Sequence, residues 1–134
     1  MLKVLVDTSA WIEFYHPMGS EKVKKEIIQA LELHEVTVVA PVIVELLSGA
    51  KTRRDYETLK QDLFALSWLP LDREVTATAA ELAWKLARSG KRVPTVDLLI
   101  AAAAKQNGCE LWHFGDRHFE VVASAGSLAQ RNLR

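Results

Sequence analysis

The sequence predicts a three-layer α/β fold in which a mainly parallel central sheet is flanked by helices. Short apolar runs alternate along the chain with segments whose apolar residues recur at helical spacing. The first run, Val4-Leu5-Val6, is apolar at consecutive positions, which is typical of a strand buried on both faces of a sheet. The chain has 134 residues, 49% of them apolar and 25% charged, so we expect one core and a single domain over residues 1–134.

The amino-terminal half supplies two of the expected strands. The predicted elements are a strand at 2–6, a short helix capped by Ser9 that ends at His16, an amphipathic helix at 21–34, a strand at 36–39, and a helix from Pro41 to Ser48 closed by Gly49. In the helix at 21–34, the predicted buried stripe carries Val23, Ile27, Ile28 and Leu31. Residues 36–39 are β-branched and short, which favours a buried strand.

The carboxyl-terminal half continues the alternation. The predicted elements are a helix over about 56–66, a brief strand at 68–71, an Ala-rich helix from Asp72 to Gly90, a helix at 96–107 with Thr95 as its N-cap, and a strand at 110–113 followed by a Gly115-Asp116 turn. Residues after Phe119 are weakly patterned and receive no assignment. Strands separated by helices favour parallel pairing with right-handed connections.

Charge and cysteine content restrict the possible functions. Lys plus Arg and Asp plus Glu balance at 17 each, so nucleic acid would have to bind through local basic patches. The single cysteine, Cys109, excludes an intramolecular disulfide, argues against a thiolate zinc site, and predicts a buried thiol in a reducing compartment.

The sequence begins without a signal-peptide pattern, and the apolar run at 98–104 is too short to span a bilayer. We therefore expect a cytoplasmic protein with no membrane segment.

Four carboxylates lie where an ordinary solvated surface would not place them. Asp7 ends the first strand, and Asp116 follows a glycine just after the fourth strand. Asp97 lies in the first turn of the most apolar helix, and Glu45 interrupts an apolar helix without a cation at helical spacing. Strand carboxyl ends and the amino ends of the following helices meet at one edge of a parallel sheet. The four side chains are therefore candidates to converge there.

Each carboxylate also has an ordinary structural explanation. Asp7 and Asp116 suit turns or helix caps, and Asp97 suits the positive end of a helix dipole. Glu45 suits an ordinary exposed position at the edge of its helix. A converging cluster, by contrast, would need a counter-charge, because carboxylates ~4 Å apart repel by about 4 kcal/mol per pair at an effective dielectric near 20. All-oxygen ligands favour Mg²⁺ or Mn²⁺, which promote phosphodiester hydrolysis.

Four segments resemble, in order and spacing, the motifs of PIN-domain ribonucleases, and most closely the VapC toxins of bacterial and archaeal toxin–antitoxin pairs. The segments are VLVDTSAW around Asp7, VELLSG around Glu45, TVDLLIAA around Asp97 and GDRHF around Asp116. Together they extend over most of the chain. Four motifs in the same order indicate this family more specifically than any single motif does.

The resemblance implies a PIN fold, a homodimer, an RNA substrate and a cognate antitoxin that blocks the site. Carried over by position, it implies that Asp7, Glu45, Asp97 and Asp116 are catalytic and bind Mg²⁺ or Mn²⁺, supported by Ser9. Hydrolysis by water at such a site would leave a 5′-phosphate and a 3′-hydroxyl. The sequence departs from the family where Phe114 replaces a usual Thr or Ser, and in a tail that lacks a clear closing strand.

RNA would have to approach this acidic site on a neutral protein. Basic residues flank the acidic motifs: Lys51, Arg53 and Arg54 follow the Glu45 helix, and Lys91 and Arg92 precede Asp97. We expect these residues to contact RNA phosphates, the alternative being an ordinary solvated surface. His113 and His118, on either side of Asp116, are assigned no role.

Other Asp-dependent folds fit the sequence less well. A haloacid-dehalogenase-like phosphatase needs a second carboxylate two residues after the strand-end Asp, and here that residue is Ser9. A receiver-like module needs a phosphoacceptor after a middle strand and a strand-end Lys, and neither is evident. The alternative that stays open is a catalytically weak PIN-fold module that binds RNA or protein.

Overall fold

The computed structural model describes residues 1–126 and 128–134 and confirms the three-layer α/β class. Strands and helices follow one another along the chain. Their bounds are β1 Lys3–Val6, α1 Thr8–Tyr15, α2 Glu21–Leu33, β2 Glu35–Val38, α3 Ala40–Ser48, α4 Arg53–Phe64, β3 Ser67–Trp68, α5 Arg73–Arg88, α6 Thr95–Gln106, β4 Glu110–His113, α7 Arg117–Ala125 and β5 Gln130–Asn132.

The five strands form one parallel sheet in the order β3-β2-β1-β4-β5. Leu5 of β1 aligns with Thr37 of β2 on one side and with Leu111 of β4 on the other. Contacts among the helices divide them into two groups, α1 to α4 and α5 to α7, as expected when right-handed connections place each group on its own face of the sheet. The direction of winding reverses between β1 and β4. In open α/β sheets, ligands bind at the carboxyl edge beside such a reversal.

The centre of the sheet is as apolar as the sequence predicts. Val4, Leu5 and Val6 have no exposed surface, and Leu111 beside them is equally buried. Cys109 is a buried free thiol, as expected. Thr37, the buried polar residue of β2, donates its hydroxyl hydrogen to the Val4 carbonyl oxygen at 2.9 Å, so its burial leaves no unsatisfied donor.

Two predicted helix caps are wrong. Asp7, not Ser9, caps α1, because the extended Asp7 backbone turns its carboxylate back to accept the Ser9 backbone N–H. Thr95 is the first residue of α6, and Pro94 holds the cap position without a side-chain hydrogen bond.

The buried stripe of α2 also differs from the prediction: Val23, Ile27 and Ala30 are buried, whereas nearly half of the surface of Ile28 and of Leu31 is exposed.

The unassigned tail contains a helix and a strand, so the expectation that a closing strand is missing is also wrong. Helix α7 buries Phe119 and Val122 in the core. Strand β5 pairs in parallel with β4 and extends the sheet at that edge. Its three residues are Gln, Arg and Asn, so no apolar pattern marks the strand in the sequence.

In the part of the chain that the structure describes, no helix has the length and apolar character to cross a membrane.

Candidate active site

Asp7 lies at the carboxyl end of β1, in the centre of the sheet, and only 4% of it is exposed. Its Oδ2 atom accepts two hydrogen bonds from Ser9, one from the backbone N–H at 3.1 Å and one from the hydroxyl at 2.8 Å. Burial raises the pKa of Asp7 above its ordinary value, and the negative charge of Asp116 adds to this, while the Ser9 hydrogen bonds lower it. Asp7 is therefore a nearly enclosed carboxylate whose orientation is fixed by its own helix.

Ser9 joins the ends of β1 and β4. Its hydroxyl donates to Asp7 and accepts a hydrogen bond from the backbone N–H of Phe114 at 3.0 Å. Next to it, the Asp7 backbone N–H donates to the Trp112 carbonyl oxygen at 2.8 Å. The segment that leads from β4 to Asp116 is thus held directly against Asp7, although 105 residues separate Ser9 from Phe114.

Asp116 is the N-cap of α7, with its Oδ1 atom accepting the His118 backbone N–H at 2.9 Å. Its own backbone N–H donates to Nδ1 of His113 at 3.0 Å. His113 is fully buried, and its Nε2 atom lies 2.6 Å from Oε1 of Gln130 in β5. Because Nδ1 accepts, Nε2 carries the hydrogen and donates to Gln130. His113, which the sequence left without a role, therefore fixes the turn that presents Asp116.

Asp97 faces Asp116 across His118. The Nδ1 atom of His118 lies 2.9 Å from Oδ2 of Asp97 and 3.5 Å from Oδ1 of Asp116. One ligand atom from each of these three residues falls within 4.8 Å of the others. The pKa of Asp97 is raised by burial first and then by the charges of Asp116 and Asp7, whereas His118 lowers it. Sequence reasoning missed His118 because its contribution depends on α7, which carried no assignment.

Glu45 lies at the outer side of the site. It is exposed on α3 and accepts a weak hydrogen bond of 3.4 Å from the Thr8 hydroxyl. The pKa of Glu45 is raised by partial burial and by the charge of Asp7. Glu45 and Asp97 line the same open cleft of about 620 Å³, together with the exposed apolar residues Val44 and Val96.

The structure brings all four predicted carboxylates to one edge of the sheet. Asp7 is the shared neighbour, because it is electrostatically coupled to Glu45, Asp97 and Asp116. Side-chain atoms of Asp97, Asp116 and His118 lie within 4.8 Å of one another, with Asp7 and Glu45 beside them. The raised pKa values of three carboxylates have one physical cause in common, which is burial beside like charges. A mainly carboxylate donor set of this kind fits a hard divalent cation such as Mg²⁺ or Mn²⁺.

The predicted RNA-binding residues lie in three places on the surface. On α4, Arg53 forms an ion pair of 2.7 Å with Glu57 and lies over the Tyr56 ring, beside the exposed Arg54. Lys91 and Arg92 lie in the loop before α6 and line a groove with Leu86 and Leu98. Lys51 and Glu45 line another groove between α1 and α3.

Comparisons with known proteins find one matching family and several similar proteins. Residues 4–125 match the family described as PIN domain. Ribonuclease VapC11 of Mycobacterium tuberculosis is 31% identical over 134 residues, covering 98% of this chain and 99% of that protein. Ribonuclease VapC18 of the same species is 30% identical over 125 residues, covering 90% and 88%. The crystal structure of VapBC2 from Rickettsia felis bound to a promoter DNA fragment superposes with a TM-score of 0.81 at 17% identity, covering 98% of each chain.

Proposed function

The chain belongs to the PIN-domain family, and from this membership we propose that it is a metal-dependent endoribonuclease toxin of the VapC type. The observation that carries the proposal is the convergence of Asp7, Glu45, Asp97 and Asp116 where the sheet changes its direction of winding. Two relatives that are about 30% identical and bear the name ribonuclease VapC support the same activity.

We propose that Asp7, Asp97 and Asp116 hold Mg²⁺ or Mn²⁺, with Glu45 completing the site. Both hydrogen bonds from Ser9 go to Oδ2 of Asp7, so Oδ1 is not engaged by Ser9. When bound, such a cation neutralises the carboxylates, polarises a phosphoryl oxygen and lowers the pKa of a water molecule. Ser9 and His113 act through Asp7 and Asp116, by fixing the side chain of the first and the backbone of the second.

The surroundings of Ser9 favour water as the nucleophile. The Ser9 hydroxyl donates to Asp7 and accepts from the Phe114 backbone N–H. Because both hydrogen bonds hold the Ser9 oxygen in place as a support for Asp7, Ser9 is disfavoured as the nucleophile. His118 Nδ1 faces two carboxylates and therefore carries a hydrogen, which makes it a donor toward Asp97. We infer that the reaction is hydrolysis by water, with a 5′-phosphate and a 3′-hydroxyl as the product ends.

The same family relationship supports proposals about partners and location. We propose that a cognate antitoxin covers this acidic edge, supported by the VapBC2 complex among the structural neighbours. We also propose a homodimer, a cytoplasmic location and a single domain over residues 1–134. Arg53, Arg54, Lys91 and Arg92 stay candidates for RNA phosphate contacts, although the Glu57 carboxylate already neutralises Arg53.

The direct test is cleavage of end-labelled total RNA by purified protein with Mg²⁺, with Mn²⁺ and with EDTA. We expect metal-dependent cuts that disappear in Asp7→Asn and Asp97→Asn. The matched control is Lys105→Gln, because Lys105 is exposed eight residues after Asp97, about 12 Å further along α6. Circular dichroism checks that each variant is folded.

Two outcomes would contradict the proposal. Cleavage that persists in both Asp variants would remove the acidic cluster from the reaction. Absence of cleavage by folded, partner-free protein in either metal would favour the alternative, a PIN-fold module that binds RNA or protein without efficient catalysis.

A further inference from the structure

Arg134 is held against the turn that carries Asp116. The Leu133 backbone N–H donates to the His113 carbonyl oxygen at 2.8 Å, which continues the pairing of β5 with β4. Oδ1 of Asn132 then accepts two backbone hydrogen bonds, from Gly115 at 2.8 Å and from Arg134 at 3.0 Å. One amide oxygen thus ties Arg134 to the residue immediately before Asp116.

The side chain of Arg134 lies on this turn. Its guanidinium carbon is 5.9 Å from the centre of the Phe114 ring, within the range of a cation–π contact. Gly115 has a φ of +66°, and a Cβ atom there would lie 2.9 Å from Cδ and 3.1 Å from Nη1 of Arg134. The turn therefore leaves room for the arginine. Phe114, the residue that departs from the family pattern, provides the aromatic surface beneath it.

The charge of Arg134 is available to a ligand. Among residues 1–126 and 128–134, no carboxylate oxygen lies within 4.0 Å of its guanidinium nitrogens. Arg53 and Arg131, by contrast, form ion pairs of 2.7 Å with Glu57 and 2.9 Å with Glu26. A guanidinium presents a planar set of donors that matches two oxygens of a phosphate group.

The four carboxylates repel an anionic substrate, and a guanidinium beside them adds attraction for its phosphates to that of a bound metal ion. Resting on the proposed nuclease activity, we propose that Arg134 is a positioning residue that binds an RNA backbone phosphate beside the scissile one. Arg134 is held on the turn that precedes Asp116, on the β5 side, and its cation–π contact with Phe114 restricts the guanidinium in advance of binding. The ligand is the phosphodiester itself, so this contact contributes no base specificity.

The test measures cleavage of one RNA oligonucleotide with a mapped cut site, at several salt concentrations, by wild type, Arg134→Gln and Arg134→Lys. We expect Arg134→Gln to raise KM about tenfold with little change in kcat. The slope of log KM against log salt should fall by about 0.7, the value for one contact to a single-stranded phosphate. Arg134→Lys should recover most of the salt slope because it keeps the charge. Lys105→Gln is the matched control for loss of one positive charge at a distance from the site.

The possible failures are distinguishable. If the role of Arg134 is purely structural, its substitution lowers kcat and leaves the slope of log KM against log salt unchanged. Arg134→Gln and Arg134→Lys then lower kcat equally. This result overturns the inference. Unchanged KM and salt slope in Arg134→Gln overturn it as well, while wild-type cleavage leaves the proposed activity intact. If wild type does not cleave with either metal, the proposed activity fails and this inference fails with it.

Discussion

The Nδ1 atom of His113 accepts a hydrogen bond of 3.0 Å from the backbone N–H of Asp116. This contact fixes the start of α7 from inside the protein, because His113 is fully buried at the end of β4. Its other ring nitrogen is bound to Gln130, so the same imidazole links the carboxylate turn to the edge strand β5. A buried imidazole therefore holds the turn that begins α7.

We predict that His113→Leu destabilises the protein and lowers its activity. Leucine leaves the Asp116 N–H and the Gln130 side chain without their buried partner, which costs about 1–3 kcal/mol for each unsatisfied group. Urea denaturation measures the loss in the free energy of unfolding, and RNA cleavage measures the effect on the site. His113→Asn is the matched variant, because its amide oxygen can replace Nδ1 as acceptor. Equal stability of His113→Leu and wild type would contradict this role.

We predict that Mg²⁺ or Mn²⁺ stabilises the folded protein. The cation binds converging carboxylates that the unfolded chain cannot assemble, so at 100 times its Kd it adds about 2.7 kcal/mol to the free energy of unfolding. Thermal denaturation with and without metal, at constant ionic strength, measures the shift. Asp97→Asn should lose most of the effect and Lys105→Gln none. A shift that is the same in Asp97→Asn would place the cation elsewhere.

We predict a pH dependence of stability in the metal-free protein to which Asp7, the most buried of the four carboxylates, contributes. Its pKa is higher in the folded than in the unfolded state, so the folded state binds more protons above about pH 4. The stabilisation by the protonated form is therefore present at low pH and is lost as pH rises through the folded pKa.

Denaturation of wild type and Asp7→Asn in EDTA, at about pH 4 and at about pH 7.5, tests the direction in which the free energy of unfolding changes with pH. Asparagine keeps an oxygen for the Ser9 N–H but carries no charge at either pH. We expect Asp7→Asn to gain stability relative to wild type at the higher pH. A relative loss there would mean that the Asp7 charge stabilises the fold.

We predict that the RNA products carry 5′-phosphate and 3′-hydroxyl ends. Water attacks the phosphorus in this reaction, so the ribose 2′-hydroxyl beside the cut takes no part. A substrate with a single 2′-deoxy nucleotide on the 5′ side of the cut should still be cleaved at that position. Mass spectrometry of the products identifies the ends, and a 2′,3′-cyclic phosphate would exclude the hydrolytic mechanism.

The sequence was sufficient to predict that the four acidic side chains meet at one edge of the sheet, because apolar runs mark the strands and helices that carry them. Asp7 comes directly after a continuous apolar run, and Asp97 begins the most apolar helix. The hydrogen bonds around them were not predictable. Ser9 meets Phe114 across 105 residues, and His113 meets Gln130 of a strand with no apolar pattern. These contacts depend on the order of strands in the sheet, which local periodicity does not encode.

The pairing of β1 with β4 also determines when the site can exist during synthesis. Asp7 leaves the ribosome early, but its partners Asp97 and Asp116 follow roughly a hundred residues later. A nascent chain that ends before β4 has neither the second central strand nor the Ser9–Phe114 hydrogen bond. The acidic centre therefore cannot assemble beside the translating ribosome until nearly all of this sequence has emerged.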